Sequence, residues 1–222
     1  YGQLWNNDAM HGALWNSLKV GIASAVISTL LGICGARALT RYAFRGKRGM
    51  TALIMLPLVL PEIIVAVSLL VVLLQLGFSL SLVSVTLGHI LMAIPFSIAV
   101  LSSSFEGFDR SLEEASLDLG EGPAGTFFRV TLPMVAPGIL SSLLITFTIS
   151  LDEFIVAFFL TGTESTLPIY IWSQLRFTAK LPHVLALGSV LLLASFILLS
   201  VAEVLRQRAA KRAGTGVTGG FL

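Results

Sequence analysis

Residues 82–104 have the sequence LVSVTLGHILMAIPFSIAVLSSS, which contains no Asp, Glu, Lys or Arg. An α-helix needs about 20 apolar residues to cross the hydrocarbon core of a bilayer, and this stretch is long enough. Four further apolar stretches of similar length lie at 14–39, 51–76, 134–160 and 183–205. The sequence therefore predicts an integral membrane protein of the all-α class, a polytopic bundle with five transmembrane helices.

The composition supports this class and excludes others. Of the 222 residues, 55% are hydrophobic and 12% are charged, whereas about 25% are charged in an ordinary soluble domain. Too few polar residues remain to coat a water-facing surface, which excludes a compact soluble domain, a disordered chain and a nucleic-acid-binding module. The single cysteine, Cys34, excludes a disulfide framework, and without a cluster of His, Cys and carboxylates we expect no metal site.

The positive charges lie mostly on one side of the predicted spans. Cytoplasmic loops of membrane proteins carry an excess of Lys and Arg. Lys19, Arg176 and Lys180 fall on one side. The other eleven cations fall on the opposite side: Arg37, Arg41, Arg45, Lys47, Arg48, Arg110, Arg129, Arg206, Arg208, Lys211 and Arg212.

This bias predicts the orientation of the chain. We expect one membrane domain over 14–205, with the 105–133 connection and the tail 206–222 in the cytoplasm and the segment 1–13 outside. An outside N-terminus without a signal sequence also predicts a further helix upstream that this chain lacks.

The 105–133 connection is long enough to form structure of its own. Ser111, followed three residues later by a glutamate, matches a capping box at the start of a helix. Gly120 ends that helix, and a proline three residues later suits the first turn of a second one. We expect Leu132-Pro133 to break the second helix.

Two adjacent phenylalanines, Phe127 and Phe128, give the second helix an apolar face. They would be exposed at the cytosolic surface unless another molecule covers them, and exposed apolar patches usually mark contacts. A solvated connector, with its charges serving solubility, is the simpler alternative and stays open.

The same connection resembles the EAA loop of ABC importer permeases. That pattern is E-A-A, three residues, Gly, nine residues and I-x-L-P, in the last large cytoplasmic loop. Here the sequence is Glu114-Ala115-Ser116, three residues, Gly120, nine residues and Val130-Thr131-Leu132-Pro133. Ser116 for the second Ala and Val130 for Ile are conservative in size.

Further stretches resemble one branch of this family, the second permease subunit of spermidine/putrescine transporters. They are Asn16-Ser17-Leu18, Arg41-Tyr42-Ala43-Phe44-Arg45-Gly46-Lys47 and Ser150-Leu151-Asp152-Glu153. The resemblance covers nearly all of residues 2–212 and implies that the family's first helix would precede this sequence.

The resemblance implies a MetI-like permease fold in the bacterial inner membrane, usually with six helices. The chain would be a non-catalytic subunit that translocates a small cation, a polyamine such as spermidine or putrescine, by alternating access. Its partners would be a second permease subunit, two ATP-binding subunits and an external solute-binding protein. ATP and Mg would be bound by the partner ATPase, and no cofactor by this chain.

In such importers the EAA loop docks in a groove on the cytoplasmic ATPase. The resemblance implies that Glu114 pairs with a basic group there, that Gly120 allows the bend, and that the apolar face around Phe127 fills the groove. The residues implied to couple the chain to the ATPase are Glu114, Ala115, Ser116, Gly120, Phe127, Leu132 and Pro133.

Two carboxylates, Glu62 and Asp152, fall in the middle third of predicted spans. A carboxylate there costs at least about 2.5 kcal/mol, so it normally faces a bundle interior or a watery path. Pro57 and Pro61 interrupt the helix beside Glu62, and broken helices in transporters mark binding sites. We therefore predict Glu62 and Asp152 as substrate-pathway residues; Glu153 would point about 100° away from Asp152 on a continuous helix.

Other interpretations stay open. Each carboxylate could be satisfied by a hydroxyl, by His89 or by a partner helix, with a structural role only. A proton-coupled secondary transporter using Glu62 and Asp152 would need no ATPase, although it has no use for the acidic EAA-like loop. Related permeases for ferric iron or thiamine fit the same family pattern.

Overall fold

Helices account for almost all of the structure. The computed structural model describes residues 7–177, 182, 184–190, 192–193, 196–197 and 200, and no strand occurs among them. The helices that we number are α1 (Asp8–Arg41), α2 (Lys47–Val59), α3 (Glu62–Gln75), α4 (Leu82–Glu106), α5 (Ser111–Asp118), α6 (Pro123–Thr126), α7 (Leu132–Asp152), α8 (Ile155–Leu160) and α9 (Leu167–Leu175). A π-helical turn, Phe127–Thr131, joins α6 to α7.

Three helical stretches are long and apolar enough to cross a membrane: Asp8–Arg41, Leu82–Glu106 and Pro123–Asp152. They coincide with three of the five predicted spans, and the all-α class is confirmed. Of the fifth span, 183–205, 12 of the 23 residues are described, whereas residues 1–6 and the tail 206–222 lie outside the described residues. The total of five transmembrane helices therefore stays a prediction.

The second predicted span, 51–76, is two helices rather than one. α2 and α3 meet at an angle of 107°. Pro61 has no N–H to donate and restricts the residue before it, and Leu60 is accordingly extended, with φ −80° and ψ 144°. The interruption expected beside Glu62 is confirmed at Pro61, whereas Pro57 lies inside α2. That α2 and α3 together make one crossing stays a prediction.

The fourth predicted span, 134–160, is broken as well. α7 ends at Asp152, and Glu153 is extended, with φ −70° and ψ 111°. The Glu153 carboxylate accepts a hydrogen bond from the Val156 N–H at 3.0 Å, which satisfies a free donor in the first turn of α8. Because no Pro or Gly marks this break, the sequence predicts one helix here, and that prediction is wrong.

The break predicted at Leu132-Pro133 does not occur. α6, the π-helical turn and α7 continue as one helix, Pro123–Asp152. The Leu132 N–H donates to the Phe127 carbonyl, five residues earlier. This wider turn precedes Pro133, which lies in the first turn of α7, where a proline's missing N–H removes no bond that α7 itself would make.

The centre of the structure is formed by α1, α4 and α7, which pack on one another. Gly32 of α1 lies so close to Ser97 of α4 that a Cβ at Gly32 would overlap the serine side chain. The Ser142 hydroxyl of α7 lies 3.1 Å from the Thr29 hydroxyl of α1 and 2.8 Å from that of Ser97. Small residues and interhelical hydroxyl bonds are typical of helices that associate in lipid.

A second polar contact joins the same three helices near the end of α7. The Ser24 hydroxyl donates to Ser150 at 2.9 Å, and Ser150 lies 2.7 Å from His89 Nδ1. His89 is 2% exposed, and its Nε2 has no hydrogen-bond partner among the described residues. His89 is thus a core residue that links α4 to α7.

α3 and α8 pack on each other and on α4. Gly88 of α4 makes this possible, since a Cβ there would overlap both Val156 and Leu160 of α8. None of the α2 residues is buried in the described structure. The α2 side of the bundle therefore presents a large apolar surface to lipid or to another chain.

α9 is attached to α1 through the Asn16-Ser17 pair. The Ser17 hydroxyl accepts a hydrogen bond from the Leu167 N–H at 2.8 Å. Asn16 Nδ2 donates to the Ser165 carbonyl at 3.2 Å. These two side chains fix the start of α9 against the first half of α1.

Replacement of Gly32 by Val is expected to separate α1 from α4, because the new side chain would overlap Ser97. Overpacking costs about 1–3 kcal/mol, so the melting temperature of the detergent-solubilised protein should fall. Gly12→Val, in the same helix, is the control, because no atom lies within 4 Å of a Cβ at that position. Equal melting temperatures for the two variants would contradict the close packing of α1 and α4.

Candidate functional site

The 105–133 connection forms a helix, a glycine turn and a second helix, as the sequence predicts. α5 ends in a turn where Gly120 has φ +90°. The Gly120 N–H donates to the Leu117 carbonyl and the Glu121 N–H to the Ser116 carbonyl. This conformation favours glycine, because a Cβ would be strained there.

The start of α5 differs from the predicted capping box. Asp109, not Ser111, provides the cap: its carboxylate accepts the Ser111 N–H at 2.9 Å. Hydrogen bonds from the backbone and then the side chain of Ser111 hold the pKa of Asp109 below its ordinary value. Ser111 is the first residue of α5, so its side chain lies too far along the helix to serve as the cap.

The predicted coupling residues on α5 divide between the surface and the second helix. Glu114 and Ala115 are exposed, whereas Ser116 is half-buried. The Ser116 hydroxyl lies 3.0 Å from the hydroxyl of Thr126. Glu114 and Ala115 are therefore accessible to another molecule, while Ser116 joins α5 to α6.

The 105–133 connection carries several exposed apolar side chains besides the exposed Glu114. Leu119, beside the glycine turn, is 89% exposed, and Phe128 is 65% exposed. Leu112 and Leu117 of α5 are exposed too. Apolar side chains this exposed outside the membrane-crossing helices usually mark a contact with another protein.

Phe127 faces the other way. It packs against Ala36, Phe105 and Val135 of the central bundle, and the Arg37 guanidinium lies 4.3 Å from its ring centroid. Neighbouring residues on a helix point in different directions, so only one of the two phenylalanines can be outward. Phe128 is the exposed one, and the predicted set of coupling residues omits it.

Glu121, directly after Gly120, pairs with Arg129 of the π-helical turn at 2.9 Å. This ion pair connects the glycine turn before α6 to the π-helical turn after it. Leu132 is half-buried and Pro133 exposed at the start of α7. The Glu121 charge thus has a partner on the second helix of the connection.

The predicted pathway carboxylates lie at the two helix breaks. Glu62 is the first residue of α3 and Asp152 the last of α7, and both are exposed on the single chain. Glu153 caps α8 and lies within electrostatic range of Glu62. Because α7 ends at Asp152, the angle of about 100° expected between Asp152 and Glu153 on a continuous helix does not apply.

An aromatic cluster follows the Asp152 break. Phe154 and Phe158 each lie within 6 Å of the Trp172 ring, centroid to centroid, at 5.8 and 5.3 Å. The Arg176 guanidinium covers Trp172 at 4.2 Å from the centroid. The cluster therefore binds one organic cation of the chain itself, a contact that aromatic faces also make with ligand cations.

These features define a class of protein. Long apolar helices, exposed carboxylates at helix breaks, and a helix–turn–helix connection with an uncovered apolar surface are expected of a transport subunit that another protein moves. The chain belongs to the family described as binding-protein-dependent transport system inner membrane component, whose sequence profile matches residues 23–211.

Two relatives with known roles resemble most of the chain. The putrescine transport system permease protein PotI of Escherichia coli is 36% identical, over 96% of this chain and 78% of its own length. The spermidine/putrescine transport system permease protein PotC of Haemophilus influenzae is 32% identical, over 94% and 81%.

A solved structure shares the fold. It is that of a bacterial alginate ABC transporter in complex with an alginate-pentasaccharide-bound periplasmic protein. The TM-score is 0.72 at 18% identity, over 98% of this chain and 83% of the other. The predictions of a MetI-like fold and of an ABC importer permease, an inner membrane component, are confirmed.

Replacement of Gly120 by Ala is expected to loosen the turn after α5, because an L-residue in left-handed backbone costs about 1–2 kcal/mol. Hydrogen exchange of the Glu121 amide should accelerate by about 5- to 30-fold. Gly122→Ala is the matched control, since Gly122 has φ −76°, which any residue adopts. Equal exchange in the two variants would contradict the assignment of the turn to Gly120.

Proposed function

We propose that this permease imports a polyamine, of the putrescine or spermidine kind, driven by a cytoplasmic ATPase. The observation that carries the proposal is the relationship to PotI and PotC, whose names state putrescine and spermidine/putrescine transport. The relationship extends over more than nine-tenths of the chain.

The charges at the helix breaks suit such a solute. Polyamines carry ammonium groups along a flexible chain, and each ammonium needs a carboxylate or an aromatic face to replace water. Glu62 and Asp152 are exposed on the single chain, so in a membrane they need water or a second subunit beside them. A path lined jointly by this chain and a second permease satisfies that requirement.

The 105–133 connection contacts the ATPase and passes its conformational change to the membrane helices. Glu114, Ala115, Leu119 and Phe128 are all exposed, and all but Glu114 are apolar. A groove on the ATPase with a basic residue would complement these side chains in shape and charge. Leu132 and Pro133 link the contact to α7.

The complete transporter has this chain, a second permease subunit, two ATP-binding subunits and an external solute-binding protein. ATP and Mg are held by the ATP-binding subunits, and this chain binds no cofactor. The N-terminus of the chain lies outside and the C-terminus in the cytoplasm. Closure of the ATPase then moves α5 and switches the solute path from one side of the membrane to the other.

Glu114→Arg should abolish retention of the ATPase by the permease, because it places a cation against the basic group of the groove. Co-purification of the ATPase with the complete permease measures this directly. Glu106→Arg, a change at an exposed glutamate at the end of α4, is the control and should retain the ATPase. Failure of the native permease to retain any ATPase would refute the proposed energy source.

Asp152→Asn should lower uptake of labelled putrescine by the reconstituted transporter by about tenfold or more, because a hydrogen bond to a charged group contributes about 1.5–3 kcal/mol. Glu62→Gln should act in the same direction. Glu106→Gln is the matched control and should leave uptake unchanged. Native uptake of thiamine or ferric iron in place of putrescine and spermidine would refute the proposed substrate.

A further inference from the structure

α5 carries two adjacent glutamates in different surroundings. The Glu114 side chain is 62% exposed and pairs with Arg110, one helical turn earlier, at 3.2 Å. The Glu113 side chain is 15% exposed. Successive side chains on a helix are about 100° apart, so the two carboxylates face different directions. Glu114 faces away from the bundle, and Glu113 faces into it.

The Glu113 carboxylate contacts two other elements of the bundle. Its Oε2 lies 3.1 Å from Nε of Arg41, the last residue of α1. Its Oε1 accepts a hydrogen bond of 2.7 Å from the hydroxyl of Thr131, the last residue of the π-helical turn before α7. One side chain therefore connects α5 with the adjacent ends of α1 and α7.

Arg41 is held in place from its other side by Phe108. The guanidinium lies 5.5 Å from the ring centroid, and Nη2 donates to the Phe108 carbonyl at 3.5 Å. The Arg41 side chain is 14% exposed, and its Nε–H is aligned with no acceptor among the described residues, so the contact with Glu113 is ionic. Removal of either charge leaves the other largely buried and uncompensated.

Where α5 meets α1 and the π-helical turn, the contacts are made by polar groups and not by a close-packed apolar core. A cavity of about 170 Å³ lies between α1, α5 and the π-helical turn, with Arg41, Glu113 and Thr131 in its wall. Besides the contacts of Glu113, the Ser116 hydroxyl of α5 lies 3.0 Å from the Thr126 hydroxyl of α6. Movement of α5 therefore reaches the bundle through a few specific contacts, of which Glu113 makes two.

We propose that Glu113 is the positioning residue that passes movement of α5 to α1 and α7, while Glu114 contacts the ATPase. The proposal rests on the proposed function of the 105–133 connection. When the ATPase displaces α5, the ionic contact with Arg41 and the hydrogen bond with Thr131 oblige the ends of both helices to follow. Without the Glu113 charge, α5 still docks through its exposed face, but it loses the ionic contact with Arg41 and passes less of its movement to α1 and α7.

The test compares Glu113→Gln with the native chain in the complete transporter, reconstituted in liposomes with its second permease, ATPase and binding protein. ATP hydrolysis and uptake of labelled putrescine are measured in the same preparation. The amide keeps the size of the side chain and removes its charge. The ATP hydrolysed per putrescine imported should rise about tenfold, within the range of coupling changes, while the ATPase stays bound.

Two variants make the result specific. Glu106→Gln is the same chemical change at an exposed site and should keep the native ratio. Thr131→Val keeps the shape of a 1% exposed side chain and removes only its hydroxyl, so it tests the same link even if Glu113→Gln fails to assemble. It should also raise the ratio of ATP to putrescine.

Two results would overturn the role of Glu113. One is a native ratio in Thr131→Val; the other is a proportional fall of hydrolysis and uptake in Glu113→Gln, which is the behaviour of a residue with a structural role alone. A native transporter that imports no putrescine would instead refute the proposed function, so the two failures are distinguishable.

Discussion

The arrangement of the described helices depends on hydroxyl groups that must find partners inside an apolar bundle. A buried hydroxyl without a hydrogen bond costs about 1–3 kcal/mol, and in lipid it cannot turn to water instead. The bonds of Ser142 to Thr29 and Ser97, and of Ser150 to Ser24, exist in one register of α1, α4 and α7. Because α3, α8 and α9 pack on these three helices, their positions follow from the same register.

A bundle fixed in this way leaves little room for charge, and the carboxylates lie where helices end. Glu62 begins α3 after Pro61, and Asp152 ends α7. At such ends the backbone N–H and C=O groups lack partners within the helix, so polar surroundings are already required. Glu153 illustrates this, since its carboxylate accepts the Val156 N–H. A solute path at the breaks thus uses positions that the fold makes polar anyway.

The sequence predicts the features that depend on one strong local signal. The uncharged run 82–104 predicts its helix, and Gly120 predicts the turn after α5, because only glycine adopts φ +90° without strain. The break after Asp152 has no such signal, since it depends on the packing of α8 against α3 and α4. Likewise, the separate surroundings of Glu113 and Glu114 follow from where Arg41 lies in three dimensions, which spacing along the chain does not give.

The helix Pro123–Asp152 joins the two functional regions without an intervening loop. Its 30 residues, at 1.5 Å each, give a length of about 45 Å. The π-helical turn and Pro137, which has no N–H to donate, each interrupt the regular ladder of backbone hydrogen bonds, but the helix has no break in its course. A displacement at the Pro123 end is therefore passed along the helix axis to Asp152. Thr131, in the first third of this helix, binds Glu113 of α5. Beyond the break, α8 packs on α3 and α4. The break after Asp152 is therefore the first point at which a moving α7 can separate from the rest of the bundle, and it is the point where the carboxylates lie.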